Sequence, residues 1–309
     1  MLSRFPRALA NNSTIGLICP AGGFEDYKPI VLASRYLKKH GYKVKLGDSL
    51  VNSKKSYKYL SGSDEERLGD LLGFWFDKDV DAIFCLKGGY GSLRLLNKIN
   101  FNKIKDIKKI FLGFSDITVL LTALYAKTNM ITFHSPMLGA DFLHRNLSPK
   151  DKISAKYMFN MLRDPSLKFS YSSKDEGVTI NPGKTSGYLL GGNLTSLCSM
   201  IGTGYLPDFR DSILFLEDVN EEPYTVDRMI TQLAMTGIFN RVTGVIFTSF
   251  NNSGFRSRGQ VSALIRDKLA KYKFPVIYYF PSGHGAKNYI LPIGRRVLFD
   301  ADNRSLSSC

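Results

Sequence analysis

Acidic residues, histidine, cysteine and tryptophan are all scarce in this chain. Of 309 residues only 27 are Asp or Glu, against 42 Lys or Arg, which leaves a formal net charge of +15. A deficit of acid raises nucleic acid, an anionic membrane or an acidic substrate as partners. The basic residues are scattered, however, in short runs such as Lys38-Lys39 and Arg295-Arg296, and no recognisable nucleic-acid motif accompanies them. The four cysteines, Cys19, Cys85, Cys198 and Cys309, form no CxxC pair, so a disulfide scaffold is excluded for a chain this long. None of the four histidines, His40, His134, His144 and His284, has the HExxH spacing of a zinc helix, and no metal is expected. No apolar run approaches the ~20 residues of a membrane-spanning helix. The first residues lack the apolar stretch of a secretory signal, so the protein is expected to be soluble and cytoplasmic.

What is present is a folded α/β pattern. Hydrophobic residues make up 44% and charged residues 22%, which rules out a disordered chain. Strands are expected at Thr14–Cys19, Tyr42–Leu46, Asp81–Leu86, Lys109–Phe114 and Met130–Phe133, with helices between them. Ser63 and Glu66 have capping-box spacing. Leu68, Leu71, Leu72, Trp75 and Phe76 then share one helical face, which assigns the single tryptophan to the core. Strands alternating with helices imply right-handed crossovers and a mostly parallel sheet. This gives an N-terminal α/β domain over 1–145. A polar, proline-containing stretch over 146–184 reads as a linker whose one regular piece is a helical patch at Ile153–Leu162. A smaller C-terminal α/β or α+β domain over 185–309 follows, with edge strands near Tyr289–Leu291 and Arg296–Phe299.

Three residues carry candidate chemistry. Ser115, in Gly113-Phe-Ser-Asp-Ile117, sits where an apolar strand turns into a helix, the geometry of a nucleophile elbow or of a plain N-cap. Glu217 closes the run Ile213-Leu-Phe-Leu216, where a carboxylate needs a partner, a salt bridge or solvent. A cation site with Asp218, Glu221, Glu222 and Asp227 does not fit calcium-loop spacing. His284 lies between two glycines after a strand. Each falls at or just beyond the carboxyl end of a strand, where open α/β sheets bind ligands. Together they supply a nucleophile, a base and an acid that orients the base, a set suited to acyl transfer without a cofactor. The turn Lys87-Gly-Gly-Tyr-Gly91 is neither a P-loop nor a dinucleotide fingerprint, and a glycine pair there can offer amides to an oxyanion. Lys87 and Arg94 could draw a substrate carboxylate or simply face solvent.

The segments Lys87-Gly-Gly-Tyr-Gly-Ser-Leu-Arg-Leu-Leu96, Phe111-Leu-Gly-Phe-Ser-Asp-Ile-Thr118, Gly191-Gly-Asn-Leu194 and Phe215-Leu-Glu-Asp-Val219 resemble those of the LD-carboxypeptidases, serine peptidase family S66. Pro223-Tyr-Thr-Val-Asp-Arg228 and Gly283-His-Gly-Ala-Lys-Asn288 extend the resemblance along the chain in the family's order. It implies the triad Ser115, Glu217 and His284, oxyanion donors at the backbone amides of Gly89 and Asp116, and commonly a homodimer. The family's usual arginine before the double glycine is Lys87 here, which leaves a substrate-binding role at that position open. The implied reaction removes terminal D-alanine from muropeptide tetrapeptides during peptidoglycan recycling. Two alternatives remain: hydrolysis of a peptide-nucleotide antibiotic, as in microcin C immunity, and a non-enzymatic nucleic-acid-binding protein.

Overall fold

The computed structural model describes residues 3–51, 57–142, 148–285 and 287–309. Its first half runs β1 (Thr14–Ile18), α1 (Lys28–Lys39), β2 (Lys43–Leu46), α2 (Asp64–Phe76), β3 (Ala82–Cys85), α3 (Phe101–Ile104), β4 (Ile110–Gly113), α4 (Thr118–Thr128) and β5 (Thr132–His134). The second half runs α5 (Pro149–Arg163), β6 (Ser170–Ser172), β7 (Val178–Asn181), β8 (Lys184–Asn193), α6 (Leu194–Ser199), β9 (Ser212–Val219) and α7 (Pro223–Met235). It closes with β10 (Gly244–Asn251), α8 (Arg258–Leu269), β11 (Val276–Tyr278), β12 (Leu291–Ile293), β13 (Arg296–Asp300) and β14 (Ser305–Ser308).

Every residue of β3 and β4 is buried, as expected of parallel strands covered on both faces. The first sheet has the order β12-β5-β4-β3-β1-β2, with β1 to β5 parallel. Strand order reverses between β1 and β3, and their following loops meet there, the Gly22 amide donating to the Gly88 carbonyl at 2.9 Å. Such a switch point leaves a crevice at the carboxyl ends of the strands. The capping box at Ser63 and Glu66 forms, and Trp75 packs in the core against Phe111 with ring centroids 5.8 Å apart.

The second sheet has the order β6-β14-β13-β8-β9-β10-β11-β7. Its centre, β8 to β11, is parallel, and antiparallel strands complete both sides. Two expectations are corrected here. The stretch 146–184, read as a linker with one helical patch, carries α5 and two strands, and β6 and β7 are the outermost strands of this sheet. Residues 146 and 147, like His144, lie outside the described residues. The strand at 296–300 is internal, because the short β14 pairs beyond it. β12, by contrast, does form an edge, returning to the first sheet to pair antiparallel with β5.

The two sheets meet at α4 and β8. Gly191 and Gly192 have φ of +138° and +144°, and a β-carbon on Gly192 would lie 2.5 Å from Thr118 Cγ2. Only glycine combines that backbone with so close an approach. The Asn193 amide donates to Thr118 Oγ1 at 3.0 Å across the same contact.

Candidate functional site

Ser115 follows β4 in a 3₁₀ turn over Ser115–Ile117 that leads into α4. Its φ of +62° is a left-handed conformation that a non-glycine residue adopts only when its surroundings impose it. Such strain is the mark of a nucleophile elbow, which turns the side chain outward at the carboxyl edge of the sheet. Gly88 packs directly on it: a β-carbon there would stand 2.8 Å from Ser115 Cβ, 2.9 Å from Ser115 Oγ and 3.5 Å from the Asp116 nitrogen. Gly89 follows with φ of +105°. A further bond ties the two loops, the Ser92 amide donating to Asp116 Oδ2 at 2.8 Å. Burial raises the Asp116 carboxyl above the usual aspartate range. The hydroxyl, the glycine turn and the Asp116 amide thus occupy one corner of the switch-point crevice.

Glu217 lies near the carboxyl end of β9, two residues before Val219. It is fully buried, and its Oε2 is 2.6 Å from Nδ1 of His284. Burial alone would raise the Glu217 carboxyl, but His284 beside it holds it below the ordinary glutamate value, with help from His134 and Asn193. Gly283, at φ of +87°, makes room for the pair, since a β-carbon there would be 3.0 Å from Glu217 Oε2. Asn288 Oδ1 accepts from the Gly283 amide at 2.9 Å, and Asn251 Nδ2 donates to the His284 carbonyl. The His284 ring lies 4.6 Å from the ring of Phe114, the residue before Ser115. His284 and Glu217 are therefore in contact, and the histidine reaches the serine's turn from the opposite sheet.

Asp218 is not free to bind a cation. Asn193 Nδ2, the Thr195 amide, Thr195 Oγ1 and its neighbouring Val219 amide all donate to it, at 2.8–2.9 Å. Burial, then the adjacent Glu217 charge, pushes its carboxyl up to about 6. Sequence spacing gave no sign of this cluster, although Asn193 stands opposite Glu217 in the β8–β9 register. Lys87 Nζ donates to the Gly23 carbonyl at 2.5 Å and lies 5.3 Å from the Phe24 ring centre. Arg94 Nε is paired with Asp64 at 2.7 Å, which makes it a structural ion pair on the surface of the α2 end.

Comparison with known proteins identifies the family. A model of the LD-carboxypeptidase N-terminal domain matches residues 15–135, and one of its C-terminal domain matches residues 186–298. A probable murein peptide carboxypeptidase of Bacillus subtilis is 36% identical over 304 residues, covering 97% of this chain and 92% of its own. The crystal structure of muramoyltetrapeptide carboxypeptidase from Oxalobacter formigenes superposes with a TM-score of 0.82 at 29% identity, over 96% of this chain and 97% of that one. The microcin C7 self-immunity protein MccF, known from Escherichia coli and solved with glutamyl sulfamoyl guanosine, gives a TM-score of 0.88 at 25% identity. That match covers 100% of this chain and 98% of the other.

Proposed function

Because this chain belongs to the LD-carboxypeptidase family, we propose that it is a serine carboxypeptidase releasing terminal D-alanine from muropeptide tetrapeptides, with Ser115, Glu217 and His284 as its triad. The observation that carries the assignment is the 2.6 Å contact of buried Glu217 with the half-buried His284, facing the turn of a serine held at φ of +62°. His284 takes the Ser115 proton as Oγ attacks the carbonyl between the L-centre of diaminopimelate or lysine and D-alanine. The resulting oxyanion is received by the amides of Gly89 and Asp116, while the amino end of α4 favours its negative charge. Glu217 holds the imidazole in one tautomer and stabilises the imidazolium. His284 then protonates the departing D-alanine amine, and water hydrolyses the acyl-serine by the reverse proton path. No cofactor is required. Lys87, engaged with Gly23, is better placed to brace the glycine turn than to hold a substrate carboxylate.

On this reading the protein acts in the cytoplasm, as a homodimer, on fragments recycled from peptidoglycan. Among the described residues no helix is long and apolar enough to cross a membrane. Incubation with L-Ala–γ-D-Glu–meso-diaminopimelate–D-Ala should liberate free D-alanine, and Ser115→Ala should abolish it. Full activity in that variant refutes the mechanism. The MccF likeness supports a second reading, cleavage of a peptide-nucleotide. Against it, the sole tryptophan, Trp75, is in the core and offers no stacking surface near Glu217 or His284. Turnover of an aminoacyl-nucleotide but not of the tetrapeptide reverses the order.

A further inference from the structure

Two imidazoles, not one, act on the carboxylate of Glu217: His284 by contact and His134 through its field. His134 ends β5 and is paired in register with Gly113 on β4, two residues before Ser115. Its ring meets Phe114 edge-on at 5.6 Å, and Phe114 in turn lies 4.6 Å from His284. Across the sheet contact Phe215 packs edge-on against His134 at 5.0 Å. Side chains alternate along a strand, so Glu217, two residues after Phe215, leaves β9 on the same face.

His134 is fully buried, and neither ring nitrogen has a hydrogen-bond partner among the described residues. The same is true of Oε1 of Glu217, whose other oxygen meets His284. An imidazole and a carboxylate oxygen both lose water on burial, and native interiors rarely leave such atoms unpaired. Their needs are complementary. A neutral imidazole has one N–H to donate, and a carboxylate oxygen only accepts. Burial keeps the ring neutral, holding its pKa at about 4 against the pull of the Glu217 charge. The ionisable groups around the pair are His284, from the loop after β11, and Asp218, next along β9; Asn193, beside them on β8, gives its side-chain amide to Asp218 Oδ1 at 2.9 Å.

We propose that His134 is a positioning residue, hydrogen-bonded through one buried water to Oε1 of Glu217, that fixes the carboxylate which in turn orients His284. One water suffices, because buried waters ordinarily serve two to four polar partners. The proposal rests on the triad reading above and adds a third element to it, drawn from the first sheet.

The test is His134→Phe, which keeps a ring between Phe114 and Phe215 and removes both nitrogens. A donor to Glu217 lowers the proton affinity of the Glu217–His284 pair, so its loss moves the acid limb of kcat/KM to higher pH. With one charge-assisted bond removed, kcat should fall about tenfold or more while KM stays within about twofold. An unmoved acid limb with kcat intact means a packing role alone and overturns the proposal. NMR of wild-type protein labelled with ¹⁵N-histidine covers the case in which the variant fails to fold. His134 should show a neutral ring with one slowly exchanging N–H, whose shift moves in Glu217→Gln; a His134 signal indifferent to that change also overturns the proposal. Full activity of Ser115→Ala overturns the triad instead, and it leaves the His134–Glu217 coupling seen by NMR untouched.

Discussion

Gly88→Ala isolates the geometry of the proposed reaction from its chemistry. The new β-carbon would stand 2.8 Å from Ser115 Cβ and 2.9 Å from its Oγ. Carbon atoms pack comfortably at about 3.5 Å, so the serine or the glycine turn must yield by roughly 0.7 Å. Gly88 is not among the residues with positive φ, so alanine fits its backbone, and the strain falls on the contact. Ser115 cannot swing aside freely, because its left-handed φ is fixed between β4 and α4. A misplacement of about 1 Å at a reacting atom costs on the order of a hundredfold in rate, so kcat should fall roughly 10- to 100-fold. Overpacking should cost about 1–2 kcal/mol of stability, leaving the protein folded. The assay is D-alanine release across a substrate titration, with thermal unfolding followed in parallel. Gly69→Ala is the control: it lies exposed on α2 with nothing within 4 Å of the added carbon. That change should gain about 0.5–1 kcal/mol and leave kcat alone. A Gly88→Ala enzyme with kcat within threefold of wild type would refute the placement of the glycine turn against a reacting Ser115.

Glu217→Gln should lower kcat by roughly 10³–10⁴-fold, or about 4–5 kcal/mol, because an amide favours the wrong tautomer and carries no charge against the imidazolium; a loss below tenfold in D-alanine release would show that His284 is oriented by other groups. Gly192→Ala should separate α4 from β8, since its β-carbon would overlap Thr118 at a backbone that alanine resists, and should destabilise the chain by about 2 kcal/mol or more in urea unfolding. Wild-type unfolding energy there would contradict the contact. Stability should also carry the mark of His134. Its pKa, lowered first by burial, drops from 6.5 to about 4 on folding, so below pH 6.5 the unfolded chain binds a proton that the folded one refuses. Stability from this source is complete above pH 6.5 and is lost as pH falls toward 4, roughly 3 kcal/mol in all. Asp218, raised to about 6, acts oppositely: its cost is complete above pH 6 and is relieved as pH falls through that value. The unfolding energy of His134→Phe, measured against wild type in urea, should therefore improve by about 3 kcal/mol between pH 6.5 and 4; parallel pH profiles would exclude a buried neutral His134.

The parts of the site visible in the sequence were those written locally. Ser115 is legible because an apolar run, a serine and a helix follow one another within a few residues. Trp75 is legible because α2 repeats its apolar face every three to four residues. β6 and β7 are not, since Ser170-Tyr-Ser172 and Val178-Thr-Ile-Asn181 are short and half polar, and their partners β14 and β11 come much later in the chain. β13 passes for an edge strand for the same reason: its outer neighbour, Ser305-Leu-Ser-Ser308, has one buried apolar residue. His134 reads as any histidine after a strand. Its burial is decided by Phe114 and Phe215, from two different sheets, and no periodicity within one segment encodes that.

The groups proposed to react come from separate sheets, yet the chain does not leave them to find each other. Ser115 stands at the end of β4 in the first sheet, and Glu217 within β9 in the second. The segment bearing His284 leaves β11 in the second sheet and ends at β12, which pairs with β5 in the first, placing Leu291 opposite His134. That loop is therefore held at both ends, one in each sheet, with Glu217 gripping its middle at 2.6 Å. Any change in the angle between the sheets must pull on β12, on the Asn193–Thr118 bond and on the glycine contact of β8 with α4 together. Conformational freedom lost at assembly need not be lost again in each catalytic cycle. A site divided between two sheets thus acquires the rigidity of one built on a single scaffold.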